Sequence, residues 1–127
     1  YVGDRGIPGS RGALKRHMCV MGNGVRRGST WQFGKMGDAS IEVVPRLTVN
    51  TVDAAIDAAE GGLGLSNVLS YQSSEAIAAG RLVRVLADHA PAPLPVNLLY
   101  DASRAAMPSV SAFINAMRER ARLKVWN

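Results

Sequence analysis

Cysteine, histidine and aromatic residues are scarce in this chain of 127 residues, which has one cysteine, two histidines, two tryptophans, three tyrosines and two phenylalanines. The single cysteine, Cys19, cannot form an internal disulfide, so nothing in the chain requires an oxidising compartment. No apolar run approaches the ~18 to 20 residues needed to cross a bilayer, and residues 1–10 lack the basic and hydrophobic regions of a signal peptide. These absences predict a cytoplasmic protein with no membrane segment.

Candidate groups for catalysis are correspondingly few. His17 and Cys19 are two positions apart, so on a strand they would point to the same face, where a thiolate and its base could meet. A lone cysteine is more often a small buried hydrophobe, and no further residue is placed to orient the histidine. His89 lies in a turn-rich segment, whereas a metal site needs several converging ligands. We predict no catalytic residue, no metal and no cofactor, and keep an enzyme using His17 and Cys19 as a rival hypothesis.

Basic residues outnumber acidic ones by 15 to 10, which leaves a net charge of +5. Such a charge attracts nucleic acid without specificity, and a non-specific nucleic-acid binder is a second rival hypothesis. The basic residues are scattered, however, and no recognition helix, zinc finger or aromatic-sheet signature accompanies them. We therefore predict no DNA-binding residue in this chain.

Along the chain, segments with the apolar pattern of strands are followed by segments with the apolar pattern of helices. Pro45 marks an edge, a bulge or a break within one strand candidate. The predicted strands are 17–21, 30–34, 40–49, 63–70, 82–86 and 94–100. The predicted helices are 10–17 with Ser10 as its N-cap, 50–62, 73–80 and 109–122. Strands separated by helices predict an α/β layered domain.

The helix from Asn50 has the clearest start and stop signals of the central region. Val52, Ile56 and Ala59 recur at helical spacing, Asn50 can cap the start, and the glycines of GGLG (61–64) can end it. A phosphate-binding glycine loop would follow a strand and open a helix, whereas GGLG closes a helix and opens a strand. We therefore interpret these glycines as a helix stop.

The joint LTVNT (47–51) is the one local feature that favours ligand binding. A strand passes here to a helix N-terminus, whose first-turn amides and the Asn50 and Thr51 side chains suit a carboxylate or a hydroxyl. Most such turns merely cap helices. The local sequence therefore leaves both binding and simple capping open.

Four segments, read in order, resemble the C-terminal sensing domain of LysR-type transcription regulators. They are 1–20 (YVGDRGIPGSRGALKRHMCV), 31–33 (WQF), 45–86 (PRLTVNTVDAAIDAAEGGLGLSNVLSYQSSEAIAAGRLVRVL) and 93–120 (PLPVNLLYDASRAAMPSVSAFINAMRER). The most specific parts are the VNT-helix-GGLGLS unit, the AAGRLVRVL unit and the closing proline-strand-helix. The resemblance covers nearly the whole chain.

The resemblance implies a periplasmic-binding-protein-like (type II) α/β fold, in which two lobes enclose a small effector. Residues 1–90 would be the second lobe, a mixed sheet flanked by helices. Residues 91–127 would supply a returning strand and the C-terminal helix of the first lobe. Most of the first lobe and the winged helix-turn-helix are expected to be missing, so DNA would be reached only through a domain absent from this chain.

Carried over by residue, the resemblance implies an effector site at Val49, Asn50, Thr51, Leu65 and Ser66. The function expected is sensing of a small organic acid or aromatic effector for a bacterial transcription regulator, not catalysis. Because the strand 94–100 and the helix 109–122 would lack their own sheet, we expect self-association as a homodimer or higher oligomer, or docking on the same chain. The alternative is a solute-binding module of the same fold unconnected to transcription.

Overall fold

The computed structural model describes residues 1–22, 29–34 and 39–123. The chain divides into two compact units, Tyr1–Ala92 and Pro93–Asn127. The α-helices are α1 (Val2–Arg5), α2 (Val52–Glu60), α3 (Ser70–Ala78) and α4 (Pro108–Leu123). The strands are β1 (Cys19–Gly22), β2 (Thr30–Phe33), β3 (Ala39–Glu42), β4 (Pro45–Val49) and β5 (Leu65–Ser66). Short 3-10 helices cover Arg11–Arg16, Ala87–His89 and Ala102–Arg104.

β1 is the central strand of a parallel three-stranded sheet with the order β4-β1-β5. Cys19, Val20 and Met21 are all buried, as expected for an apolar strand that is covered on both faces. Pro45 is the first residue of β4, a position where a missing amide hydrogen is tolerated. Of the three alternatives left open at Pro45, the structure shows the break between two short strands, β3 and β4, and it also places β4 at the edge of its sheet.

A hairpin and a helix cover opposite faces of this sheet. β2 and β3 pair antiparallel, and Trp31 of the hairpin donates its Nε1 hydrogen to Met21 Sδ at 2.9 Å. Gly22 packs against α2 on the other face, because alternate residues of a strand point to opposite sides. The buried cluster on the hairpin side consists of Leu14, Cys19, Met21, Trp31, Phe33, Val43 and Leu65.

α2 ends where its glycines predict. Gly62 has φ 78, a left-handed conformation that glycine adopts without steric cost. The Leu63 amide donates to the Ala58 carbonyl at 3.0 Å, and the Gly62 amide donates to the Ala59 carbonyl at 3.0 Å. These two bonds satisfy carbonyls that the helix end leaves unpaired, so the predicted helix stop is confirmed.

α3 ends in the same way and is tied to the end of α2. Gly80 has φ 73, and the Arg81 amide donates to the Ala76 carbonyl at 2.9 Å. The Arg81 guanidinium then reaches Glu60, with 3.0 Å between Nε and Oε2. The glycine of the AAGRL segment therefore turns Arg81 back towards α2.

Several predicted elements differ from the structure. The strand predicted at 63–70 contracts to Leu65–Ser66, the two residues that pair with β1, and Ser70 already belongs to α3. The helix predicted at 10–17 is the 3-10 helix Arg11–Arg16, and its N-cap Ser10 makes no side-chain capping bond. Residues 22–29 (GNGVRRGS), whose Asn-Gly pair and flanking glycines predict a loop, fall almost entirely outside the described residues.

The strands predicted at 82–86 and 94–100 do not form. A strand needs a neighbouring backbone to pair with, and apolar alternation alone does not supply one. Instead, Val85 and Leu86 pack against the buried cluster, and Leu86 adopts φ 54 just before the 3-10 helix. In the second unit, Leu94, Val96 and Leu99 remain exposed.

α4 is the main element of the second unit and agrees with its prediction. Pro108 is its first residue, a position that suits the fixed φ and missing amide hydrogen of proline. Ahead of it, Asp101 Oδ1 accepts hydrogen bonds from the Ser103 amide at 2.9 Å and the Ser103 hydroxyl at 2.7 Å. These bonds favour the carboxylate and lower the pKa of Asp101.

Candidate functional site

The carboxyl ends of β4, β1 and β5 lie at one edge of the parallel sheet. Val49, the last residue of β4, pairs with Gly22, the last residue of β1. Ser66, the last residue of β5, pairs with Val20 on the other side of β1. Neighbouring strands are about 4.8 Å apart, and β5 ends level with Val20, two residues before the end of β1, so the two outer strands end about 12 Å apart across β1. Residues predicted for the effector site, which come from distant parts of the chain, are thus brought to the carboxyl end of one sheet, where open α/β sheets bind ligands.

The turn from β4 into α2 presents hydrogen-bonding groups at this edge. Thr51 is the N-cap of α2, and its Oγ1 accepts from the Ala54 amide at 3.2 Å. The prediction that Asn50 is the cap is wrong, because the extended backbone at Thr51 is what brings a side-chain oxygen over the third helical amide. Asn50 is exposed beside it. The Val52 and Asp53 amides face outward from the helix start, where the helix dipole favours a negative group.

Gly22 sets how closely α2 approaches the end of β1, and the sequence did not single it out for this role. A Cβ atom at position 22 would lie 3.4 Å from the Ala55 Cβ and 3.4 Å from the Thr51 carbonyl oxygen. Both distances are ordinary van der Waals contacts at their close end, so a Cβ atom alone fits, whereas a longer side chain directed at α2 would push the start of the helix away. The sequence signal that could have identified this role is a glycine at the end of an apolar strand, which often marks a close approach of another backbone.

Leu65 and Ser66 face opposite sides of the sheet. Leu65 is 8% exposed and belongs to the buried cluster beneath the hairpin. Ser66 shares the α2-facing side with Val20, because residues in register on adjacent strands point the same way. Leu65 is thus held in the core, while Ser66 presents a polar atom next to α2.

The Ser66 hydroxyl is buried and has no hydrogen-bond partner within the part of the chain that the structure describes. An unsatisfied buried hydroxyl costs about 1–3 kcal/mol relative to a satisfied one. Native structures keep few such groups, and those that persist call for a specific explanation. This atom is therefore the most unusual polar feature at the carboxyl edge.

The predicted site carries no ionisable side chain among its five residues. Val49 is half-buried, and the Asn50 amide with the Thr51 and Ser66 hydroxyls supplies neutral donors and acceptors. Such groups orient a ligand by hydrogen bonding, and none is a general acid or base at neutral pH. The arrangement suits recognition of a hydroxyl or carboxylate.

His17 and Cys19 do not form the pair that the rival enzyme hypothesis requires. The His17 ring lies towards Tyr1, whose hydroxyl is 3.1 Å from Nδ1 and accepts from the Met18 amide at 2.9 Å. Cys19 is fully buried, and burial raises the pKa of its thiol to about 11. A thiol with that pKa remains protonated and unreactive at neutral pH. Its Sγ instead donates to the His17 carbonyl at 3.7 Å.

Metal-binding and membrane-spanning features are both lacking in residues 1–22, 29–34 and 39–123. These residues contain no group of histidine, cysteine and carboxylate side chains that could hold a metal ion. Nor do they contain a helix long and apolar enough to span a bilayer.

The unit Tyr1–Ala92 has an α/β architecture with a parallel sheet, a covering helix and hydrogen-bonding groups at the carboxyl ends of the strands. The family model for the LysR substrate binding domain matches residues 5–122. The chain therefore belongs to the LysR substrate-binding-domain family, and the resemblance inferred from the sequence is confirmed. The periplasmic-binding-protein-like α/β fold is confirmed with it.

Solved structures agree with this assignment of the fold. The regulatory domain of CrgA, a LysR-type transcriptional regulator from Neisseria meningitidis, is 22% identical with a TM-score of 0.76, over 94% of this chain and 59% of that one. The regulatory domain of AphB from Vibrio vulnificus is 23% identical with a TM-score of 0.78, over 94% of this chain and 60% of that one. The chain thus spans about three fifths of either regulatory domain. None of the curated proteins matches it.

Proposed function

We propose that this chain is the effector-sensing part of a bacterial LysR-type transcription regulator. Its family membership supports this function over a solute-binding module unconnected to transcription. Residues 1–90 would form the second lobe, and residues 91–127 would belong to the first. A boundary between compact units at residues 92 and 93 supports that division. A regulator of transcription would act in the cytoplasm and reach DNA through a separate domain.

The observation that supports the effector site is that two polar features lie at the same end of the parallel sheet. The N-terminus of α2, capped by Thr51, lies at the end of β4, and the unpaired Ser66 hydroxyl lies at the end of β5. A small organic acid or aromatic acid would place its carboxylate at the first-turn amides of α2. Asn50 and Val49 would select its shape, and Leu65 would hold β5 in position.

Effector binding would act by selecting one arrangement of the lobes and subunits. A ligand shifts such an equilibrium only by as much as it prefers one arrangement over the other. In the intact regulator that preference would change the spacing of the DNA-binding domains. For this chain alone we expect weak binding, because one lobe supplies only part of the contacts.

A nuclear magnetic resonance titration tests the site. Benzoate and short-chain carboxylates should shift the backbone amide signals of residues 49–53 and 65–66 at millimolar ligand. Thr51→Val should abolish these shifts, whereas Thr48→Val, an exposed threonine within β4, should leave them unchanged. Shifts confined to residues outside both segments, or equal losses in the two variants, would refute the site.

A further inference from the structure

The first two helical elements of the chain are strongly basic. α1 and the 3-10 helix Arg11–Arg16 contain the Asp4 carboxylate and four basic side chains, and so carry a net charge of +3. The basic side chains are those of Arg5, Lys15 and Arg16, which are exposed, and of Arg11, which is half-buried. Among the described residues, no ion pair or side-chain hydrogen bond engages any of the four. We call these four side chains the basic surface.

Both elements lie on the hairpin side of the parallel sheet. Leu14 of the 3-10 helix is only 1% exposed and belongs to the buried cluster beneath the hairpin, and Tyr1 and Val2 pack against the same cluster. The Tyr1 hydroxyl lies 3.1 Å from His17 Nδ1 and accepts from the Met18 amide at 2.9 Å. These contacts hold the start of α1 beside the end of the 3-10 helix. Basic residues that are scattered in the sequence are therefore gathered in one layer.

The opposite side of the sheet, which α2 and α3 cover, is acidic. A groove of about 250 Å³ between these helices is lined by four carboxylates and one guanidinium, and so carries a net charge of −3; the charged side chains are those of Asp53, Asp57, Glu60, Glu75 and Arg81. The Arg81 guanidinium is already engaged by Glu60. Even with Glu42 of β3 on the hairpin side, the unit Tyr1–Ala92 carries opposite charges on the two sides of its sheet.

We propose that the basic surface binds the phosphate backbone of duplex DNA without reading its sequence. A duplex carries one negative charge per about 1.7 Å of its axis, and basic groups that neutralise phosphates release the counterions condensed there. Phosphate contacts fix a position on the duplex and carry no sequence information. The acidic side of the sheet would be repelled by the same phosphates, so the unit would meet DNA only with its hairpin side.

A transcription regulator is held beside DNA by its DNA-binding domain, so this contact rests on the proposed function for its duplex. That separate domain would select the site, and the basic surface would add phosphate contacts next to it. The prediction of no DNA-binding residue followed from the scatter of basic residues along the sequence, whereas packing on the buried cluster brings four of them together. None of the four belongs to the predicted effector site, so the carboxylate titration and a duplex-binding measurement can fail independently.

Fluorescence anisotropy with a labelled duplex of roughly 20 base pairs and arbitrary sequence tests this contact between ~0.05 and ~0.2 M salt. Four neutralised phosphates give a slope of about −3.6 for the logarithm of the association constant against that of the salt concentration, which is a roughly 150-fold loss over this range. The double variant Lys15→Gln, Arg16→Gln removes two contacts, so its slope should be about −1.8 and its loss roughly 12-fold. Both residues are exposed, and circular dichroism should show an unchanged fold.

The double variant Arg118→Gln, Arg122→Gln is the matched control, because it removes the same charge from exposed positions on α4. Its slope should stay near that of the unaltered chain. Equal effects of the two double variants would show that net charge alone holds the duplex, and would overturn the proposal. So would a lack of duplex binding at ~0.05 M salt. Displacement of the duplex by poly-glutamate at equal charge would assign the surface to an acidic protein segment instead, and would likewise overturn the proposal.

Discussion

Replacing Ser66 by alanine tests whether its buried hydroxyl is as poorly paired as the structure indicates. The hydroxyl is sealed from solvent on the α2-facing side of β5 and has no partner among the described residues. Leaving such a group unsatisfied costs about 1–3 kcal/mol, and removing its oxygen leaves a gap smaller than a methylene. Taking the lower end of that range, Ser66→Ala should stabilise the fold by about 1 kcal/mol.

Urea unfolding monitored by Trp31 fluorescence measures this difference, because Trp31 is buried against β1. At a slope of about 2 kcal/mol per molar urea, the midpoint should rise by about 0.5 M with the slope unchanged. The melting temperature should rise by about 4–8 °C for a unit of this size. Effector binding by the same variant should weaken, since the lost oxygen is part of the proposed site.

Ser73→Ala is the matched control, since Ser73 is buried but its Oγ donates to the Ser70 carbonyl at 3.4 Å. Removing a satisfied hydroxyl should leave stability unchanged or reduce it by about 0.5–1.5 kcal/mol. If Ser66→Ala destabilises the protein as much as Ser73→Ala does, the Ser66 hydroxyl has a partner in solution. The inference that it is held for a ligand would then fail.

Three further predictions concern the backbone contact, the helix cap and the buried thiol around the site. Gly64→Ala should destabilise the protein by about 3 kcal/mol or more in urea unfolding, because its Cβ would overlap the backbone carbonyl of Met18 on the segment leading into β1. Thr51→Ala should cost about 1 kcal/mol through loss of the α2 cap, whereas Asn50→Ala should cost less than about 0.5 kcal/mol; equal losses would show that the cap is assigned to the wrong residue. The protein should become less stable as pH rises from 9.0 to about 11, because the Cys19 thiol ionises first in the unfolded chain. Thermal melts over that range should show a fall in melting temperature, and Cys19→Ala should reduce that fall.

Local sequence determined α2 and α4 and most of their ends. Two local signals specify α2: the helical spacing of Val52, Ile56 and Ala59, and the glycines after Glu60. Both are local because helix hydrogen bonds and caps join residues at most a few positions apart. Pro108 likewise marks the start of α4. The resemblance of four segments, read in order, to the LysR family predicted the fold and the class of protein. It also predicted that Asn50 and Thr51 lie at the turn beside the carboxyl ends of the strands.

Tertiary structure decided which apolar segments became strands and which polar atoms met. The segments 82–86 and 94–100 are as apolar as β4, yet a strand exists only where a distant backbone pairs with it. That Leu65 enters the core while Ser66 turns towards α2 depends on the register with β1, which no local pattern encodes. The close packing of Gly22 against Thr51 and Ala55 also joins residues about thirty positions apart. Long-range pairing therefore assembled the candidate site from pieces that the sequence could identify only separately.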